Sequence, residues 1–217
     1  PQKSGAMLEG SKSFAKSFMQ KHKIPTAKYK DFNAENSENA KKYLETLSAP
    51  FVIKADGLAA GKGVYICNNY NEGYIAAKEI FNGKFGKAKN LLIEEFLDGE
   101  EMSYFVISDG KSYQFIGSAQ DHKRVGEGDK GKNTGGMGCY SPSRLFNSKL
   151  AEKINNNIII PTLNAIKDMG SEYIGFLYVG LMIKNEKPYL IEFNVRMGDP
   201  ECQTILPLLE NDPVSYT

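Results

Sequence analysis

The sharpest chemical signal lies near the C-terminal end. In Ile191-Glu-Phe-Asn194 two oxygen-bearing side chains alternate with two large apolar ones. On an extended strand this alternation puts Glu192 and Asn194 on one face and turns Ile191 and Phe193 toward a core. A carboxylate and an amide oxygen two residues apart suit magnesium, a hard cation that takes few protein ligands and completes its shell with phosphate oxygens and water. An edge strand with a solvated face would show the same pattern. The polar run that follows, with Arg196, Gly198, Asp199, Pro200 and Glu201, favours a site, because functional side chains gather in loops at the ends of rigid elements.

A second signal is the glycine loop Asp56-Gly-Leu-Ala-Ala-Gly-Lys-Gly63. It is not a Walker A loop. That motif needs four residues between its glycines, then Lys-Ser/Thr, and a strand before and a helix after. Here three residues separate Gly57 from Gly61, Gly63 follows Lys62, and both flanks read as strands. The loop is either an ordinary tight turn or a flap over phosphates, whose glycines let backbone N–H groups approach anionic oxygens. Lys54 favours the flap, since an ammonium in an apolar strand must meet an anion or water; an exposed edge lysine is the alternative. Further on, Leu91-Leu-Ile-Glu-Glu-Phe-Leu97 runs into Asp98-Gly-Glu-Glu101. A bend there would offer backbone groups and the apolar wall of Phe96 and Leu97 to an adenine, and a carboxylate to ribose hydroxyls. Solvated acidic residues at a strand end would read alike.

The elements that must position these residues follow from periodicity. Phe14, Ala15, Phe18 and Met19 share one face of a helix over about 11–21, capped by Ser11. An extended segment over 26–32 follows, then a helix after Ser37, with Ala40, Tyr43, Leu44 and Leu47 on one side. Strands are expected over 51–55, 64–67 and 91–95, and a helix over 71–81. From Met102 a hairpin turns at Asp109-Gly110. Residues 120–140, with six glycines, read as a long polar loop, and loops of that length in compact domains are usually functional or disordered. A long helix over 148–169, a second hairpin around Asn185 and a helix over 200–209 complete the chain. The expected class is α+β, with a small lid (28–97) inserted in a larger mixed-sheet body (1–27 and 98–217).

Composition sets outer bounds. The 217 residues are 41% hydrophobic and 24% charged, with a net charge of +1, so no global field points to nucleic acid or an anionic membrane. No run reaches the roughly 18 apolar residues of a membrane span. Cys67, Cys139 and Cys202 are odd in number and widely spaced, as expected of reduced thiols in a cytoplasmic protein. An opening at Pro1, with no signal peptide, suggests a segment of a longer protein.

In their order, Lys54 with the 56–63 flap, Glu94-Glu-Phe-Leu97 and Glu192-Phe-Asn194 resemble the ATP-grasp superfamily. Four segments more narrowly resemble the phosphoribosylamine–glycine ligase (glycinamide ribonucleotide synthetase) family: Ile53 to Val64, Gln120-Asp-His-Lys-Arg124, Asn133-Thr-Gly-Gly-Met-Gly138 with Tyr140-Ser-Pro142, and Gly198-Asp-Pro-Glu201. Leu8-Glu-Gly-Ser-Lys12 with Ile24-Pro-Thr26 fits the same family, so the likeness runs from about 8 to 209. It implies an ATP-grasp fold with ATP between lid and body, and a ligase of purine biosynthesis. ATP would phosphorylate the glycine carboxylate, and the amine of 5-phosphoribosylamine would displace phosphate to give glycinamide ribonucleotide. Lys12 and Lys54 would meet ATP phosphates under Gly61, Lys62 and Gly63. Glu94, Glu95 and Leu97 would border adenine, with Glu101 on the ribose. Glu192 and Asn194 would hold Mg2+ (or Mn2+), and Arg196 would steady the migrating phosphoryl group. Asp121, His122, Lys123 and Arg124, with Asn133, Thr134, Gly135 and Gly136, would close over the acyl phosphate and amine, and Asp199 would serve the substrate. His122 is either a base or a loop anchor, and a free amine nucleophile favours the anchor or a substrate contact. Val195 and Met197 replace the Cys and Phe expected of the family. No metal carboxylate appears over 175–183, so a second ion would lean on phosphates and water. Flanking domains are expected to supply part of the phosphoribosylamine site. A monomer or weak homodimer is expected, with no nucleic-acid or membrane partner. The competing readings are another ATP-grasp carboxylate–amine ligase and a non-catalytic nucleotide-binding module.

Overall fold

The computed structural model describes residues 1–57, 63–86, 90–127, 130–134 and 136–210, with the backbone alone at Arg124, Lys130, Lys132 and Asn133. The chain forms two compact units, Met7–Asp98 and Pro1–Ala6 joined with Gly99 onward. Residues 7–27 fall in the smaller of these units. Their buried face is the reason, since Ala15, Phe18 and Met19 are covered and Lys16 is ion-paired to Glu94.

The chain begins with α1 (Lys3–Gly10), which its weak periodicity did not announce. In the smaller unit α2 (Lys12–Lys21) starts at Ser11, whose hydroxyl accepts from Phe14 N at 3.1 Å. The Asp56 carboxylate adds a second cap, accepting from Lys12 N at 2.7 Å and Ser13 N at 3.2 Å, where first-turn N–H groups have no helical partner. Then come β1 (Tyr29–Asn33), α3 (Ser37–Glu45), β2 (Phe51–Ala55), β3 (Val64–Cys67), α4 (Tyr70–Phe81) and β4 (Asn90–Glu95). The strands form one antiparallel sheet in the order β1-β4-β2-β3. Phe51, Ile53, Ala55, Leu91 and Ile93 form a core with Ala40 and Leu44 of α3 and Ala76, Ala77 and Ile80 of α4. Period-two alternation leaves Val52, Lys54, Leu92 and Glu94 on the opposite face.

The larger unit holds β5 (Glu100–Asp109), β6 (Tyr113–Asp121), β7 (Arg124–Gly126), β8 (Lys130–Asn133), β9 (Cys139–Tyr140), α5 (Ser148–Ile154), α6 (Ile160–Asp168), β10 (Ile174–Lys184), β11 (Lys187–Asn194) and α7 (Glu201–Ile205). Its main sheet runs β11-β10-β5-β6-β9. Every described pairing is antiparallel, which corrects the expected mixed sheet. Tight reversals join neighbours: Asp109 Oδ1 accepts from Lys111 N and Ser112 N between β5 and β6, and Asn185 and Glu186 take positive φ between β10 and β11. Three further departures have local causes. The long helix is interrupted over Asn155–Ile159, where Ile160 N donates five residues back to Asn155 O; Pro161 next to it has no N–H, and a proline inside a helix breaks the ladder. The last helix stops after α7 and continues as a single tighter turn over Leu206–Leu208, which contains Pro207. The expected 120–140 loop carries three short strands, and β9 adds an edge to the main sheet by pairing Gln120 with Tyr140 and Asp121 with Cys139.

Candidate functional site

Strand register aligns the polar residues of the larger unit. Ser103 pairs with Gly180, and Gly180 with Glu192; in the next row Phe105 pairs with Tyr178, and Tyr178 with Asn194. Directly opposed residues share a sheet face, so both rows, with Glu101 and Asp121 at matching parity, lie on one side. The other side carries Met102, Tyr104 and Val106. Gly180 leaves room for its neighbour, because a Cβ there would lie 3.3 Å from Glu192 Cγ. The register slips between Gly180 and Leu181 and leaves Ile191 without a strand partner. Ile191 is therefore half-buried beside Glu192 in a pocket, not turned into the core as alternation suggested; Phe193 is buried as expected.

That pocket, about 40 Å3, brings together Glu101, Ser103, Asp121, Lys123, Tyr178 and Glu192. Four of these were named from sequence, on segments up to ninety residues apart. Lys123 Nζ lies 3.0 Å from Asp121 Oδ2 and 3.9 Å from Glu101 Oε2. Burial pulls its pKa down, but Glu101, Asp121 and Glu201 outweigh burial and raise it above the ordinary lysine value. The amine is thus a stable cation, suited to holding an anion and unsuited to acting as a base. Asp121 Oδ1 is buried without a hydrogen-bond partner, which leaves one carboxylate oxygen for a group entering the pocket. Beside Glu192, Asn194 is buried and its Oδ1 accepts from Arg196 Nη2 at 3.3 Å. Among the described residues no three His, Cys, Asp or Glu side chains converge to hold a metal by themselves. One carboxylate and one amide fit an ion that takes its remaining ligands from phosphate and water.

The same face carries a group that sequence reading did not single out. Ser103 Oγ, Tyr178 OH and Glu201 Oε1 are mutually 3.0–3.1 Å apart and buried. Burial, then the Glu201 charge, holds the Tyr178 phenol well above its usual range. Gly198 is fitted against this carboxylate: a Cβ there would collide with Glu201 Oε2. In sequence Glu201 looked like one more acid in a polar run, and nothing local marked it as buried.

Of the remaining residues of this unit, His122, Thr134 and Gly136 do not line the pocket. His122 is exposed and its ring lies 5.4 Å from that of Tyr140. Its N–H donates to Gly138 O at 2.7 Å and its carbonyl accepts from Thr134 Oγ1 at 2.5 Å. Thr134 N donates to Lys123 O at 3.1 Å, and Gly136 N to Thr134 Oγ1 at 3.4 Å. Asp199 is exposed and accepts from Gln203 Nε2, and it does not line the pocket. Met197 packs against the core cluster of Phe105, Ala119, Tyr178 and Ile205. Arg124 and Asn133 pair across β7 and β8 through their backbones. Gly61, Lys62 and Gly135 lie outside the described residues.

The smaller unit gathers a charged group on the sheet face that α2 covers. Lys54 Nζ is 3.0 Å and Lys16 Nζ 3.1 Å from the same Glu94 oxygen, Oε2, all three side chains being less than a tenth exposed. Lys12 Nζ donates to Gly57 O at 2.7 Å, and Gly63 O accepts from Ala55 N at 2.8 Å, closing the base of the glycine loop. Glu95 is exposed and its Oε1 accepts from Lys28 N, while Leu97 is half-buried. Lys16 escaped the sequence reading, although a lysine beside Ala15 on the apolar face of α2 was a signal available there.

A family profile described as phosphoribosylglycinamide synthetase, ATP-grasp (A) domain, matches residues 10–202. The chain belongs to this family. Among curated relatives, phosphoribosylamine–glycine ligase of Pasteurella multocida is 51% identical over 217 residues, covering 99% of this chain and 50% of the relative. The crystal structure of phosphoribosylamine–glycine ligase from Thermotoga maritima superposes with a TM-score of 0.88 at 39% identity, over 96% of this chain and 53% of that one. The ATP-grasp fold extends to the biotin carboxylase domain of Hydrogenobacter thermophilus 2-oxoglutarate carboxylase, solved with MgADP, at a TM-score of 0.73 and 20% identity, over 97% of this chain and 44% of that one. This ATP-grasp (A) domain chain spans about half the length of the ligases it matches. No described helix is long and apolar enough to cross a membrane.

Proposed function

We propose that this ATP-grasp (A) domain carries the ATP-dependent chemistry of a phosphoribosylamine–glycine ligase. The observation that supports it most is the pocket in which Glu101, Asp121, Lys123 and Glu192 converge, on a chain half identical to a ligase of that name over its whole length. Phosphoryl transfer needs positioning and charge neutralisation more than covalent chemistry, and the side chains offer both. In this reading Lys12 and Lys54 meet ATP phosphates with Gly61, Lys62 and Gly63; Glu94, Glu95 and Leu97 border adenine; and Glu101 accepts from the ribose hydroxyls. Glu192 and Asn194 hold Mg2+ or Mn2+, which when bound neutralises phosphate charge. Arg196, tied to Asn194, steadies the phosphoryl group in flight. Lys123, kept cationic by its carboxylate neighbours, holds the acyl phosphate. Asp121 offers its unpartnered oxygen to the attacking amine of phosphoribosylamine. His122, bonded through both backbone groups, anchors the loop, and Arg124, Asn133, Thr134, Gly135, Gly136 and Asp199 shape the acceptor side. Excluding water there protects an intermediate that hydrolyses readily. The three free cysteines agree with a cytoplasmic setting.

The test is ADP release by the complete protein with phosphoribosylamine present. Glycine should stimulate it, and D-alanine or bicarbonate should not. Equal rates with and without glycine would overturn the glycine assignment, and stimulation by another carboxylate would name a different ATP-grasp ligase.

A further inference from the structure

We propose that Lys16 is the standing counter-ion of Glu94, and that it thereby leaves the Lys54 ammonium available to an anionic phosphate. Both ammonium nitrogens reach the same oxygen, Glu94 Oε2, at 3.1 and 3.0 Å, while Oε1 is buried without a hydrogen-bond partner. Two cations therefore share one acceptor, and the cluster carries a net positive charge beneath a nearly closed surface. The lysines are not equivalent. Lys16 rises from α2, is 2% exposed and also donates to Thr26 Oγ1 at 2.7 Å, so two partners hold it in place. Lys54 rises from the central strand β2, is 7% exposed and makes no other described hydrogen bond or ion pair.

That asymmetry has an energetic consequence. Breaking a buried ion pair leaves an uncompensated charge and is strongly destabilising. If Lys54 were the only cation on Glu94, an incoming phosphate would have to break such a pair. With Lys16 in place, withdrawing Lys54 leaves a neutral Lys16–Glu94 pair still bonded to Thr26. Mutual repulsion between the amines favours the same exchange: burial, opposed by Glu94 and assisted by Lys54, lowers the Lys16 pKa to about 8. Lys16 is thus a positioning residue, acting on the phosphate through Lys54.

The proposal rests on the reading that Lys54 meets a nucleotide phosphate, so the test separates the two. In the complete protein, Lys16→Met, Lys16→Arg and the double variant Lys16→Met/Glu94→Gln are compared with wild type by two measurements. One is the rate of reductive methylation of Lys54 without ligand, read by peptide mass spectrometry. The other is calorimetric affinity for MgADP. Lys16→Met should slow Lys54 modification several-fold and weaken MgADP by about tenfold, the scale of one charge-assisted contact. Lys16→Arg should stay close to wild type. The double variant, which has no carboxylate for Lys54 to neutralise, should recover the Lys54 modification rate; its MgADP affinity is not compared, because Glu94 is itself placed beside the nucleotide. A Lys54 modification rate unchanged in Lys16→Met, or a double variant whose Lys54 is modified no faster than in Lys16→Met, overturns the counter-ion relation. Slowed modification with unchanged MgADP affinity overturns the phosphate contact of Lys54 itself.

Discussion

At the scale of single residues, the body unit's pocket makes two demands that substitution can separate. Glu192 is exposed and hydrogen-bonded only weakly, by Asn194 Nδ2 at 3.5 Å, so its removal should leave the fold intact. Glu192→Ala should cut turnover of the complete protein by at least ~100-fold, the scale of lost charge stabilisation at a reacting centre, with an unchanged unfolding midpoint. Near-normal turnover would remove the metal assignment and favour a binding module. Gly198 is the reverse case. An added methyl would drive into Glu201 Oε2 and disturb the hydroxyls of Ser103 and Tyr178. Gly198→Ala should destabilise by ~1–3 kcal/mol, as over-packing does, and lower turnover with it; a denaturation curve coincident with wild type would show that the close approach is slack.

At the scale of elements, one contact joins a helix start to the end of a strand. Asp56 closes β2 and caps α2, accepting from Lys12 N, Ser13 N and its own neighbour Gly57 N. It therefore sets where Lys12 and Lys16, both on α2, present their amines. Asp56→Ala should cost about 1–2 kcal/mol, the upper range for a lost helix cap, and Asp56→Asn should recover part of it; chemical denaturation at neutral pH reads both. Most elements here were legible in sequence. Strands form over 51–55 and 64–67 as the pattern predicts, because apolar runs bounded by glycine and proline leave little choice of register. What was missed is short or locally contradictory: β7 to β9 inside a glycine-rich stretch, and the turn over 155–159, where a strong helical pattern meets Pro161.

At the scale of the whole molecule, the consequence open to measurement is linkage between pH and stability. Burial, assisted by Lys54 and opposed by Glu94 and Glu95, pulls the Lys16 pKa down to about 8 in the folded chain, below the ordinary lysine value of 10.5. A folded pKa lowered below the unfolded one means the unfolded chain binds more protons between the two values, so stability rises with pH there. Below pH 8 both states are protonated and the penalty of a buried ammonium is fully present. The unfolding free energy of wild type relative to Lys16→Met should therefore increase between about pH 8 and 10, and stay flat from pH 6 to 7. A difference that falls over the upper range would mean the ammonium is net stabilising where it sits.

The sequence by itself determined the class, the family and the polar residues at strand ends, since these depend on alternation, glycine placement and motif order, which are local. Lys54, Glu192 and Asn194 were legible because a polar residue in an apolar strand has few explanations. Tertiary structure alone decided which charges meet: Glu94 with both Lys16 and Lys54, and Glu201 with Ser103 and Tyr178. It also decided that residues 7–27 belong with the smaller unit and that Ile191 faces the pocket. The physical reason is common to all of these. Burial and ion pairing depend on strands and helices far apart in sequence, and a one-residue slip in register redirects a side chain without changing the pattern that produced the strand.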